Sequence, residues 1–368
     1  MKFRSSFIAL FLLGFFACSK EETAPAILPP SNLTITADVS ETGSGKVIME
    51  ASAENSNYFE FEFGDGNSTT PVRDDDGKIE YTYSESGSYT ITVRAHTTAE
   101  VYIEKSTEIS VLVTTGGTIP DSGYTSPDSY VGYNLIWRDE FEGNELNDLI
   151  WTHEIGTGIN GWGNNELQYY REENTTVYNG YLIIEAKKEN FSGRNYTSSR
   201  IISQGKKSFK YGRVDIRAAL PKGQGIWPAL WMLGANFGSI GWPACGEIDI
   251  MELVGGAGKD NTVYGTVHWD NAGSYASYGN SYSLSSGIFA DEFHVFSIIW
   301  DESNIKWYMD DVQYHVVDIT PSELSEFQNE FFFIFNVAVG GDWPGNPDGT
   351  TGFPQRMVVD YIRVFQPQ

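Results

Sequence analysis

The stretch Glu247-Ile-Asp-Ile-Met-Glu252 places three carboxylates within six residues and interleaves them with Ile248, Ile250 and Met251. On a helix, steps of two and five residues turn by about 200° and 500°, which scatters the acids around the axis. On a strand, Glu247 and Asp249 share one face while Ile248 and Ile250 point the other way. Strict alternation sends Glu252 to the apolar side; one extra residue near Met251, a β-bulge, returns it to the other acids. The stretch is therefore expected to be a bulged strand with an acidic face and an apolar face. Three clustered carboxylates repel one another and call for a metal ion or for protons to share. A metal site of this kind would be all oxygen and usually carried on a loop. Proton sharing points instead to a retaining glycosidase, in which one carboxylate attacks the sugar and a second protonates the leaving oxygen. Taken alone, the strand is weak evidence for such chemistry, and a solvated edge with three exposed acids is the plainer reading.

Its neighbourhood separates these readings. Gly225-Ile-Trp-Pro-Ala-Leu-Trp-Met-Leu-Gly234 contributes Trp227 and Trp231, and Trp242 lies five residues before Glu247. Indole rings stack on the flat C–H faces of sugars. All ten tryptophans fall after residue 130. In the same region, runs beginning at Tyr181, Gly212, Val295, Ile305, Phe331 and Met357 read as strands, and Asp310-Asp311 sits where a hairpin turn is needed. Pro321 to Asn329 is the one candidate for a short helix. With 38 glycines to serve turns, this composition predicts an all-β fold of two packed, curved sheets, a β-jelly-roll sandwich.

The amino-terminal part differs. Short alternating runs begin at Leu33, Lys46, Tyr58, Ser88 and Ile109, with the positive-φ turn Gly64-Asp-Gly66 between them. They suit a small β-sandwich over residues 31–114. It contains no tryptophan and no catalytic set, so it reads as a spacer or weak binder. Residues 115–129, rich in Gly, Thr, Pro and Ser, read as a linker to a domain spanning 130–368. Ahead of both, an apolar run from Phe7 to Ala17 follows Lys2 and Arg4 and ends at Cys18, which is a signal-peptide layout for residues 1–17. Residues 18–30 form a tether. Gly14-Phe-Phe-Ala-Cys18 resembles the lipobox of bacterial lipoproteins, which implies a lipidated Cys18, an outer-membrane anchor and a position at the cell surface. With Cys18 so used, Cys245 has no disulfide partner and reads as a small buried packing residue.

A net charge of −25 disfavours nucleic acid and anionic membrane as partners and favours a neutral polymer. Contact with the membrane is expected through the lipid alone, and the chain is expected to be a monomer.

Residues 131–366 resemble glycoside hydrolase family sixteen, specifically its laminarinase-type endo-β-1,3-glucanases. The likeness is carried by Trp137-Arg-Asp-Glu-Phe-Glu-Gly143, Gly161-Trp-Gly-Asn-Asn-Glu-Leu-Gln-Tyr-Tyr170, Tyr211-Gly-Arg-Val-Asp-Ile-Arg217, the Trp227 run, Gly246 to Glu252, and Val359-Asp-Tyr-Ile-Arg-Val364. The stretch around Phe61 and Tyr81 resembles the polycystic-kidney-disease-type module, with Phe61 where that module usually has Trp. The first likeness implies a concanavalin A-like jelly roll with an open groove. It implies Glu247 as nucleophile, Glu252 as acid and then base, and Asp249 as the residue between them. It implies sugar contacts from Asn165, Glu166, Arg200, Trp227, Trp231, Trp242 and His268, the last lying beside the acids. No cofactor is expected for catalysis. A structural calcium is implied at Glu142, Gly180 and Asp360. The substrate expected is laminarin-like β-1,3-glucan, with mixed-linkage β-1,3-1,4-glucan second. Two alternatives remain open: an agarase or other galactan hydrolase of the same family, and an inactive surface glucan-binding protein.

Overall fold

The computed structural model describes residues 27–40, 43–66, 70–113 and 119–368. The signal pattern, Cys18, most of the tether and residues 114–118 of the expected linker region lie outside the described residues. Two compact units are present. One takes in residues 49–79, 90–108 and the described residues up to Ala37; the other takes in residues 38–48, 80–89 and everything from Ile109 onward.

The amino-terminal runs form a three-stranded sheet (Ser31–Val39, Lys46–Glu54, Lys78–Thr82) and a four-stranded sheet in the order Val72–Asp74, Tyr58–Glu62, Gly87–His96, Tyr102–Val111. Period-two alternation buries Phe59 and Phe61 and leaves their neighbours half-exposed. The last strand starts at Tyr102, well before the apolar run at Ile109. Its first half is solvated along most of its length, so no hydrophobic pattern marks it.

From Tyr133 the chain builds two stacked sheets. One has seven strands in the order Ser274–Ser283, Thr262–Asn271, Glu247–Leu253, Ile226–Gly234, Phe331–Val339, Arg200–Ile202, Thr152–His153. The other runs Thr175–Tyr178, Tyr181–Ala186, Gln355–Pro367, Gly212–Ala219, His294–Trp300, Asn304–Met309, Val312–Asp318, with Tyr133–Asp139 also paired to Gln355–Pro367. Between them lies one continuous apolar core. Leu230, Ile248, Ile250, Met251, Phe333 and Phe335 enter it from the first sheet, and Val214, Ile216, Ile298, Trp307 and Ile362 from the second. The all-β sandwich expected from the strand pattern is present. Asp310 and Asp311 (φ 48° and 62°) form the two-residue turn between Met309 and Val312, as a type I′ hairpin requires. The short helix is 3₁₀, Ser322–Gln328.

The acid strand carries the bulge. Asp249 faces Thr266 and Glu252 faces Tyr264, three steps against two; on the other side Trp231 faces Asp249 and Leu230 faces Met251, one step against two. Ile250 and Met251 therefore both point into the core, and Glu252 returns to the face of Glu247 and Asp249. Across the core, the Trp307 indole donates a hydrogen bond to the Asp249 carbonyl at 2.8 Å. The strand Thr262–Asn271 makes room for that indole with Gly265, where a Cβ would lie 2.4 Å from Trp307 Cδ1 and 2.6 Å from the Tyr314 hydroxyl.

Residues 119–131 form an ordered strap over the eight-stranded sheet rather than a free linker. Ile119 packs with Ile183, Ala219, Phe293 and Val358. Arg217 Nε donates to the Tyr124 carbonyl at 2.6 Å, the Ser126 amide donates to the Tyr361 hydroxyl at 2.9 Å, and the Tyr130 hydroxyl donates to Asp215 at 2.7 Å. Arg363 pairs with Asp128 at 2.8 Å. These partners are distant in sequence, so the local composition of the strap does not show them.

Gly265→Ala is expected to destabilise the protein by about 1–3 kcal/mol through overpacking. Thermal melting should show a lowered midpoint; an unchanged midpoint would mean that the Trp307 contact tolerates a methyl group.

Candidate active site

Glu247, Asp249 and Glu252 stand on the outer face of the seven-stranded sheet, because the bulge compensates for their uneven spacing. Asp249 and Glu252 are buried and Glu247 is partly so. Each has an ordered neighbour. Trp227 Nε1 donates to Glu252 Oε1 at 3.0 Å. His268 Nε2 lies 2.9 Å from Asp249 Oδ2 and 3.7 Å from Glu247 Oε1. The Trp242 side chain lies near Glu247 and favours its ionised form, a small effect beside burial. Asp249 Oδ, Glu247 Oε and His268 Nε2 all lie within 4.8 Å of one another, close enough to share a cation or protons.

Burial pushes all three carboxyls up, to about 8 each; for Glu247 and Glu252 the charge of Asp249 adds to the effect. At neutral pH the cluster therefore holds protons and titrates as a set. An acid that is still protonated near pH 7 can donate to a leaving group, and a neighbouring carboxylate can act as nucleophile.

An aromatic wall surrounds the acids. Trp231 faces Asp249 across the strand pair and donates to Asn336 Oδ1 at 2.8 Å. Trp343, exposed at 44%, meets Trp227 edge-on at 5.6 Å and Tyr264 at 5.0 Å. Trp242, exposed at 49%, lies 5.2 Å from Tyr275. The tryptophans chosen from the sequence thus flank the acids. Nothing in the sequence pattern marks Trp343, Tyr264, Tyr275 and Asn336. Trp343 sits in a loop with no strand pattern, and the other three reach the site through pairings that only the sheet register reveals.

The remaining expected sugar contacts divide. Arg200 lies over the faces of Trp162 (4.5 Å) and Trp231 (4.9 Å) and is ion-paired with Glu154. Asn165 is exposed and donates to Asp342 at 3.1 Å. Glu166 is 4% exposed, and its oxygens accept from Asn164 (3.1 Å), Gln168 (2.6 Å) and the Tyr170 hydroxyl (3.1 Å). Here it holds its own loop. That loop uses left-handed backbone at Asn160, Gly161, Trp162, Gly163 and Asn165, and a Cβ on Gly161 would meet the Glu166 amide nitrogen at 2.5 Å. Cys245 is fully buried with Ile202, Leu233, Phe332 and Ile334, a packing role. Of the three expected calcium positions, Glu142 and Gly180 line one pocket, whereas Asp360 is ion-paired with Arg217 at 2.7 Å.

Because Glu247 is raised in the folded state, the fold binds more protons than the unfolded chain between the ordinary carboxylate range and about pH 8. Its burial therefore costs stability increasingly as pH rises through that window. Glu247→Gln is expected to melt above the parent protein at pH 8–9, with the difference shrinking toward pH 4. A constant difference across that range would show that the carboxyl is not raised.

Residues 163–363 match the model of glycosyl hydrolases family 16. The beta-glucanase of Rhodothermus marinus is 42% identical over 248 residues, which cover 64% of this chain and 85% of that protein. The clotting factor G alpha subunit of Tachypleus tridentatus is 41% identical over 236 residues, and the match spans 34% of its length. Among solved structures, the laminarinase catalytic domain from Thermotoga maritima MSB8 is 51% identical with a TM-score of 0.60, covering 64% of this chain and 99% of that one. The matched segment contains the bulged acid strand and every aromatic that flanks it, and the chain belongs to glycosyl hydrolases family 16.

Proposed function

We propose that this chain is a retaining endo-glycosidase that hydrolyses β-1,3-glucan of the laminarin type, with mixed-linkage β-1,3-1,4-glucan as a second substrate. The observation that carries the reading is the return of Glu252 to the face of Glu247 and Asp249, under the Trp227 indole. In this mechanism Glu247 attacks the anomeric carbon, and the bond to the leaving oxygen breaks as Glu252 gives that oxygen its proton. Forming the ester removes the charge of Glu247. With that repulsion gone, Glu252 remains ionised more readily, takes a proton from water, and the resulting attack on the same carbon releases the sugar with its original configuration. Asp249, held by His268, keeps the two reacting carboxyls in one electrostatic unit. The aromatic wall offers stacking surface for an uncharged glucose chain. The names of the relatives support the substrate: a beta-glucanase, and a laminarinase in the solved structure.

Incubation with laminarin, lichenan, agarose and carrageenan, followed by measurement of reducing ends, tests the substrate. Laminarin should be cleaved fastest and its first product should carry the β-anomer by proton NMR. Preferential cleavage of agarose would move the chain to the galactan hydrolases, and binding without cleavage would make it a glucan-binding protein. Glu247→Ala should abolish turnover, and Glu252→Gln should lower kcat by about 10²- to 10⁴-fold; retained activity in either would refute its role.

A structural calcium at Glu142, Gly180 and Asp360 belongs to the same reading. Hard oxygen donors suit that ion, and it would have to compete with Arg217 for Asp360. Calcium added back after chelation is expected to raise the melting temperature; no change would remove the ion from the reading.

A further inference from the structure

The hairpin Thr262–Ser283 carries a residue that touches the acid cluster at one remove. Its two strands are joined by Ala272 and Gly273, with φ of 53° and 86°, between the paired Asn271 and Ser274. A two-residue turn of this kind fixes the register, and the Asp270 carboxylate accepts from the Gly273 amide at 3.0 Å. In that register His268 faces Ser277, so Tyr275 is its diagonal neighbour on the same face. A slip of one residue would move Tyr275 to the opposite face.

The Tyr275 hydroxyl lies 2.7 Å from His268 Nδ1, and the two rings stack at 5.7 Å and 17°. On its far side Tyr275 meets the Trp242 indole at 5.2 Å. The other nitrogen of His268 faces Asp249 at 2.9 Å and Glu247 at 3.7 Å. Glu252, further along the acid strand, is also within electrostatic reach of His268. With carboxyl oxygens on one side and a phenol on the other, the ring has a preferred arrangement: Nε2 carries its proton toward Asp249. The hydrogen bond at one imidazole nitrogen sets what the other presents. A phenol hydroxyl that donates to Nδ1 holds that nitrogen bare and leaves the ring proton on Nε2.

We propose that Tyr275 is a positioning residue for this reaction: its hydroxyl locks the ring and tautomer of His268, so that an N–H always faces Asp249 and the shared protons stay where Glu247 and Glu252 need them. The proposal rests on the reading of those two glutamates as the reacting groups. Tyr275 is 54% exposed, so removal of its hydroxyl leaves the core untouched.

The test compares Tyr275→Phe with the parent enzyme in two measurements. On laminarin, kcat should fall by about two- to tenfold, as expected for one hydrogen bond, while KM stays within about twofold. In nitrogen-15 NMR of the histidine side chains, with His268 assigned by its loss in His268→Gln, the parent should show the Nε2–H tautomer and the variant a mixture. An unchanged tautomer, an unchanged kcat, or a rise in KM alone would each overturn the proposal, the last by making Tyr275 a sugar-stacking surface. If the parent protein does not cleave laminarin, the functional reading fails by itself, and the tautomer of His268 still decides the role of Tyr275.

Discussion

The hydrogen bond from the Trp307 indole to the Asp249 carbonyl ties the two sheets together at the bulge of the acid strand. A bulged strand has a backbone group out of step with the ladder, and such a group must find a partner when buried. The eight-stranded sheet supplies that partner through the core, and Gly265 opens the space for it. The sandwich is thus more than a platform beneath the acids. Its apolar interior holds Ile250 and Met251 side by side, and this pairing turns Glu252 outward.

The same packing sets the chemistry. Carboxyls on a solvated strand would ionise normally and repel one another; here burial keeps them protonated into the neutral range. The hydrogen-bonding groups around them are the Trp227 indole N–H and the His268 imidazole, which bind oxygen without adding a fixed positive charge. A lysine or arginine in their place would pull the carboxyls down and leave no proton for a leaving group. Arginine is used instead at the edges of the site, where Arg200 lies over two indole faces and pairs with Glu154.

Much of this was legible in the residues. The bulge follows from the spacing of Glu247, Asp249 and Glu252, and a hairpin turn from Asp310-Asp311, because both depend on local geometry; the type of that turn shows only in its backbone angles. The strand Thr262–Asn271 and its partner Ser274–Ser283 escaped notice. The second of them is polar and solvated on both faces, so no hydrophobic period announces it. Tyr275 was hidden for the same reason, its role arising only once that hairpin is paired. Glu166 shows the opposite limit. Its motif suggests a sugar contact, and the fold adds a use that the motif does not reveal: its oxygens accept from Asn164, Gln168 and Tyr170, an arrangement that depends on loop conformation. Residues 115–129 read as a linker because Gly, Pro and Ser mark irregular backbone, and the contacts of residues 119–129 show that irregular backbone can be firmly bound.

That strap bears on where the folding unit begins. Arg217 and Arg363 each divide their donors between the sheet's own acids, Asp360 and Glu140, and groups on residues 119–131. Asp215, fully buried, counts the Tyr130 hydroxyl among its few donors. A version of the enzyme trimmed to the first strand at Tyr133 would strip one partner from each of these charges and bare the apolar patch around Phe293. The natural edge of the hydrolase therefore lies at or before Ile119, some distance ahead of the segment by which its family is recognised.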